Sequence, residues 1–148
     1  PACRTAEFKN CSAAEITNAY DNTIAYTDEI LAQTIAMLQS QDQLATALLY
    51  VSDHGESLGE GGLYLHGSPY FMAPEYQTKV PMILWMSKAF KDKFAIDQSC
   101  LAAKKAATLS HDNLFHSLLG MLDIQTNERA PSLDIFASCK ATQMVARK

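Results

Sequence analysis

The sequence predicts an α/β domain, and three observations carry that expectation: a long stretch of apolar residues at helical spacing, two short apolar runs of strand length, and a second helical stretch after them. Helix, strand, loop, strand and helix alternate. That order is expected where helices flank a largely parallel sheet.

From Ser12 to about Gln39, the residues Ile16, Tyr20, Ile24, Thr27, Leu31, Ile35 and Leu38 recur at steps of three and four and define one face of a helix. Ser12-Ala13-Ala14-Glu15 reads as the S-x-x-E box that satisfies two orphan donors of a first turn. The polar run 40–43 ends the helix.

Thr46 to Ser52 is nearly continuously apolar and breaks at Asp53-His54-Gly55, as expected of a strand covered on both faces, which points to a parallel sheet. Gly55, Gly59, Gly61, Gly62 and Gly67 then crowd one stretch, so residues 55 to about 78 read as loop or short helix. Loops of that length tend to be functional. Val80 to Met86 reads as a second strand, with Pro81 at its start, where a missing donor is tolerated.

Residues 88 to 108 are weakly patterned. Ser110 to Leu122 places Leu114, Leu118, Leu119 and Leu122 at helical spacing, with Ser110 or Asp112 as the cap. A short helix is expected near Leu133 to Cys139. No internal repeat or low-complexity tract interrupts the pattern.

At 148 residues the chain is long enough for one domain with a sizeable core. The formal charge is -4, and no basic cluster exceeds the pair Lys104-Lys105, so nucleic acid is a poor candidate partner. The longest strongly apolar stretch, Val80 to Met86, is far short of the ~20 residues that cross a bilayer. Pro1 follows no initiator Met or export signal, so any signal or anchor is expected upstream.

Four cysteines allow three pairings, and none sits in a C-x-x-C spacing. A Cys3/Cys11 bridge would close a small loop, and a Cys100/Cys139 bridge would tie two C-terminal segments, both in an oxidising compartment. Four buried thiols in a reducing compartment are the alternative.

Asp53-His54-Gly55-Glu56-Ser57 directly after a strand is the sharpest feature, because open α/β sheets place ligands beyond the carboxyl ends of their strands. Neighbouring strand side chains point to opposite faces, so Asp53 and His54 can share a metal only if the chain turns there, and Gly55 permits a turn. An Asp oxygen and a His nitrogen suit Zn2+, but two ligands leave a tetrahedral site half built. The blander reading makes Asp53 a helix cap and His54 a loop residue.

His66 can return to the same site to bind an anionic group or a second ion, although alone it would more often be a surface histidine. Glu56 can orient His54 or a substrate ammonium, against simple solvent exposure. His111 and His116 fit cap-adjacent or packed roles. The G-x-S-x-G elbow, the P-loop and the H-E-x-x-H zinc helix are all missing from the sequence.

The stretch YVSDHGESLGEGGLYLHGSPYFMAPEYQTKVPMILWMS, Tyr50 to Ser87, resembles the lipid A phosphoethanolamine transferases, the group that includes the mobile colistin resistance enzymes. The resemblance extends through AEITNAYDNTIAYTDEIL, Ala14 to Leu31, and HDNLFHSLLG, His111 to Gly120. It implies an alkaline-phosphatase-like, sulfatase-type catalytic domain in the periplasm, behind a bundle of inner-membrane helices. Residues 1–148 would be its C-terminal portion, a partial domain. The pairs Cys3/Cys11 and Cys100/Cys139 look like disulfides of the chromosomally encoded members.

In the family zinc is held by a Glu, a nucleophilic Thr and an Asp-His pair; that pair matches Asp53 and His54. His66, in YLHG, matches a histidine near the phosphoethanolamine group or further zinc ions, and Glu56 lies in the same motif. The Glu ligand, the Thr nucleophile and another His belong to segments N-terminal to the part matched by Pro1, and neither Thr46 nor Thr78 sits in a nucleophile-like context.

The resemblance thus implies transfer of phosphoethanolamine from phosphatidylethanolamine to lipid A through a Thr-linked intermediate, with polymyxin resistance as the outcome. Two other readings remain open: a sulfatase or phosphoglycerol-transferase-like enzyme of the same superfamily, and an inactive structural fragment that binds zinc weakly. A partial domain should also expose a sheet edge or an apolar face.

Overall fold

The protein is described by a computed structural model over residues 1–140. Two compact units form, one from Pro1–Ser40 with Leu48–Trp85 and the other from Gln41–Ala47 with the chain from Met86 onward.

In the first unit, a Cys3–Cys11 disulfide closes around the 3-10 turn Phe8–Asn10. Ser12 then caps helix α1, Ala13–Gln39: its hydroxyl accepts the Glu15 N–H, and the Glu15 carboxylate accepts the Ser12 N–H at 2.9 Å. Both halves of the predicted box form. Of the predicted face, Ile16 is buried and Tyr20, Thr27, Leu31, Ile35 and Leu38 are half-buried, while Ile24 is exposed.

The strands are β1 (Ala47–Val51), β2 (Ser57–Leu58), β3 (Tyr64–Leu65) and β4 (Met82–Met86), and the short helix α2 spans Glu75–Thr78. β1 pairs with β4. The Ser52 N–H donates to the Pro81 carbonyl and the Ser87 N–H to the Thr46 carbonyl, so numbering rises on one strand as it falls on the other. The mixed α/β class holds, but this pair runs antiparallel. A continuous apolar run reports burial on two faces and is blind to direction, so it could not exclude an antiparallel pair in a mixed sheet.

Inside the glycine-rich stretch, β2 and β3 make a small antiparallel hairpin, Ser57 opposite Leu65 and Leu58 opposite Tyr64. The connection is the 3-10 turn Glu60–Gly62, entered through Gly59 at φ +119°, a conformation open to glycine at little cost. Two-residue strands are too short to show an alternation.

The second unit holds helices α3 (Lys88–Lys93), α4 (Gln98–Ala103) and α5 (Asp112–Met121). The weakly patterned stretch therefore contains two helices, each with a side-chain cap: the Ser87 hydroxyl accepts the Phe90 N–H, and the Asp97 carboxylate accepts the N–H groups of Ser99 and Cys100. Phe90, Ile96, Met121, Phe136 and Cys139 are its buried apolar residues. His111 occupies the cap position of α5, while the Ser110 hydroxyl accepts the Asp112 N–H.

α5 buries Ser117, Gly120 and Met121, whereas Leu118 and Leu122 are exposed. Leu114 and Leu119 are half-buried, and a Cβ on Gly120 would fall 1.9 Å from the Asp134 carboxylate, so the packed face of α5 combines these leucines with a close approach at a small residue.

Leu133 to Cys139 forms successive turns instead of the expected helix. The Asp134 carboxylate accepts the Phe136 N–H, the Asp97 N–H donates to the Cys139 carbonyl, and Cys139 is disulfide-bonded to Cys100. These partners outcompete the helical ladder.

Candidate metal and substrate site

Past the end of β1 the Ser52 hydroxyl donates to the His54 carbonyl at 2.8 Å, folding the chain back on itself. Asp53 Oδ1 accepts the His54 N–H at 3.0 Å, and Asp53 Oδ2 comes within 3.7 Å of His54 Nε2. Side chains that would diverge along a strand therefore converge.

Gly55 acts differently from expectation. It has no positive φ; its N–H donates to the Gln77 carbonyl at 2.9 Å, and a Cβ would lie 2.0 Å from the Tyr76 carbonyl oxygen. The glycine is needed for close backbone approach to α2.

His66 follows Leu65, whose φ of +64° is uncommon for a bulky residue. The turn brings the His66 ring over His54, with centroids 3.7 Å apart. His66 Nδ1 lies 3.0 Å from Glu56 Oε2, which is 4.0 Å from His54 Nδ1. Donor atoms of His54, Glu56 and His66 fall within 4.8 Å of one another. Asp53 stands outside that triple and joins it through His54.

Hydrogen bonding assigns the tautomers. His54 Nδ1 lies 2.9 Å from the Gly55 carbonyl, an acceptor only, so that nitrogen carries the proton and Nε2 is left with its lone pair toward Asp53. Asp53 is held below the ordinary carboxylate range by its own backbone N–H and then by the His54 N–H. It is ionised and able to ligate.

A tetrahedral ion with bonds of about 2.0–2.1 Å sets its donors about 3.3 Å apart. The unprotonated His54 Nε2 and Asp53 Oδ2 lie 3.7 Å apart, close to that value. Glu56 Oε1 is buried without a hydrogen-bond partner, a costly state for a carboxylate oxygen that a cation would relieve. The donors fit a divalent ion of the zinc type.

Beside the histidines is a cavity of about 260 Å³ whose walls include Ser68, Tyr70, Gln77 and Thr78. Gln77 is buried, donating to the Ser57 hydroxyl at 2.9 Å and accepting the Ser68 N–H at 3.3 Å, so it braces the segments on both sides of the hairpin. Sequence reasoning missed Gln77, since no motif marks a buried amide, and gave no role to Ser57 at the end of the Asp53–Ser57 motif.

The Thr78 hydroxyl is turned to the Glu75 carbonyl, and Thr46 is buried in the second unit. His116 has the packed role expected of it, its Nδ1 accepting the Ala130 N–H at 3.0 Å.

A sulfatase family profile matches residues 1–124, and the chain belongs to that family. It is similar to the phosphoethanolamine transferase EptA of Salmonella typhimurium, 48% identical over 143 residues, which are 95% of this chain and 26% of that protein. It is also similar to the phosphatidylethanolamine transferase Mcr-1 of Escherichia coli, 38% identical over 86% of this chain and 22% of that protein.

The soluble domain of lipooligosaccharide phosphoethanolamine transferase A from Neisseria meningitidis superimposes with a TM-score of 0.91 at 43% identity, covering 95% of this chain and 43% of that domain. The fold is therefore alkaline-phosphatase/sulfatase-like. The chain spans about a quarter of the length of these curated relatives.

Proposed function

We propose that this chain carries the metal-holding and headgroup-facing part of a transferase that moves phosphoethanolamine from phosphatidylethanolamine to lipid A. The observation that supports it is the convergence of Asp53, His54, Glu56 and His66 beyond β1, in a chain similar over most of its length to EptA.

Asp53 and His54 would hold zinc, with Glu56 and His66 beside them. Bound zinc supplies a lowered hydroxyl pKa and neutralises charge on the transferring phosphoryl group. Glu56 accepts the Nδ1–H of His66, which leaves His66 Nε2 free to accept a hydrogen bond from a headgroup ammonium.

In this reading the nucleophile is a Thr of a segment N-terminal to the match, and a Thr-linked phosphoethanolamine forms as diacylglycerol leaves. A lipid A phosphate then attacks it. The added ammonium lowers the negative charge of lipid A, and with it the attraction for polymyxins such as colistin. The two disulfides support a periplasmic domain. Among the described residues no helix is long and apolar enough to cross a membrane, so the inner-membrane anchor of this reading lies elsewhere in the protein.

Mass spectrometry of lipid A from cells expressing the whole protein tests this. The phosphoethanolamine increment should appear, and should vanish in Asp53→Ala and His54→Ala. Unmodified lipid A beside a folded protein would favour a sulfate ester or phosphoglycerol lipid as substrate; the 148 residues alone should give no turnover.

A further inference from the structure

His54, Glu56 and His66 each have a near neighbour hydrogen-bonded to the same residue, Gln77 of α2. Its backbone carbonyl accepts the N–H of Gly55, next to His54, at 2.9 Å. Its Nε2 donates to the hydroxyl of Ser57, next to Glu56, at 2.9 Å, and its Oε1 accepts the N–H of Ser68, just past His66, at 3.3 Å. We infer that Gln77 is the positioning residue of the site and divides it in two: the backbone carbonyl sets His54, and the side-chain amide sets the pairing of Glu56 with His66. The inference rests on the transferase reading for what that pair does, and not for how the pair is held.

The hairpin register shows why a clamp is needed. Ser57 faces Leu65, so Glu56 and His66 stand opposite each other one step beyond the paired residues, at the open end of the hairpin. Strands this short hold an open end weakly. The amide joins Ser57 on one side of that end to Ser68 on the other, and between them His66 Nδ1 lies 3.0 Å from Glu56 Oε2.

Gln77 is 6% exposed and Ser57 1%, and the bonds that join them are internal to the chain, so they do not depend on which surfaces the rest of the whole protein covers. The Ser68 N–H can only donate, so it faces Oε1 and leaves Nε2 to the Ser57 oxygen. An amide alone supplies both: an ionised glutamate only accepts, and methionine, of similar length, does neither. Buried polar groups that lose such a partner are costly, so the clamp holds one arrangement.

The test uses the whole protein with Gln77→Met, which keeps the backbone carbonyl and loses both side-chain bonds. KM for phosphatidylethanolamine should rise about tenfold with kcat little changed, while zinc affinity by chelator competition stays within about twofold, because the Gly55 bond remains. A crystal structure of the variant should show His66 Nδ1 and Glu56 out of hydrogen-bond reach, with Asp53 and His54 still together. Ser57→Ala removes one of the two bonds, so KM should move the same way by less, and the double variant should be no worse than Gln77→Met. This milder variant carries the test if Gln77→Met does not fold.

Asp97→Ala, which loses the α4 cap, is the control for lost stability and should leave KM unchanged. An intact Glu56–His66 pair in Gln77→Met, zinc affinity lost in step with the rise in KM, or an equal rise in Asp97→Ala would overturn the inference. Native protein that leaves lipid A unmodified would sink the transferase reading alone; the zinc affinity and the structure of the variant would still decide on Gln77.

Discussion

The rings of His54 and His66, twelve positions apart, lie with centroids 3.7 Å apart and planes inclined by 30°. The contact needs both the turn beyond β1 and the left-handed conformation of Leu65, and each can be tested by substitution.

Leu65 is about half exposed, so little packing is lost with its side chain. Leu65→Gly should be neutral or stabilising, because glycine adopts positive φ freely, whereas Leu65→Val should cost about 1 kcal/mol or more. Urea midpoints of the two variants check this, with the glycine variant the more stable.

Gly55→Ala should be destabilising by about 1–3 kcal/mol, since the added methyl meets backbone rather than a side chain that can swing away. Its metal affinity should fall together with its unfolding midpoint, as the same contact positions His54. Denaturant unfolding and a chelator-competition titration read the two effects.

The case of Gly55 also shows how legibility divides. The convergence of Asp53 and His54 was readable because acid and imidazole followed a strand-like run, and the α1 cap was readable because Ser12 and Glu15 suffice for it locally. What escaped depends on distant partners: the reason for Gly55 is a carbonyl of Tyr76, and that for Gln77 is a hydroxyl twenty residues earlier. The turns at Leu133–Cys139 likewise answer to Asp97 and Cys100. Local pattern carries no record of such contacts.

The capping box makes α1 sensitive to acid. Hydrogen bonds from the Ser12 backbone and then its hydroxyl hold Glu15 below its ordinary value of 4.5. A depressed carboxyl contributes stability that is complete above that value and lost as pH falls through the folded one. Thermal midpoints of native protein and Glu15→Ala should therefore differ at pH 7 and draw together as pH falls below 4.5.

Of the two disulfides, Cys100–Cys139 joins residues 39 apart and Cys3–Cys11 residues 8 apart. On loop-closure entropy, removing the first should cost about 4 kcal/mol and the second about 2.5 kcal/mol. Urea unfolding of Cys100→Ser/Cys139→Ser against Cys3→Ser/Cys11→Ser checks the order.

Zinc affinity of the whole protein, measured by chelator competition, reaches the metal centre most directly. We expect His54→Ala and Asp53→Ala each to weaken binding at least tenfold, with His111→Ala, the cap residue of α5, unchanged. Undiminished affinity in both site variants would show that these two side chains meet for some reason other than a shared cation.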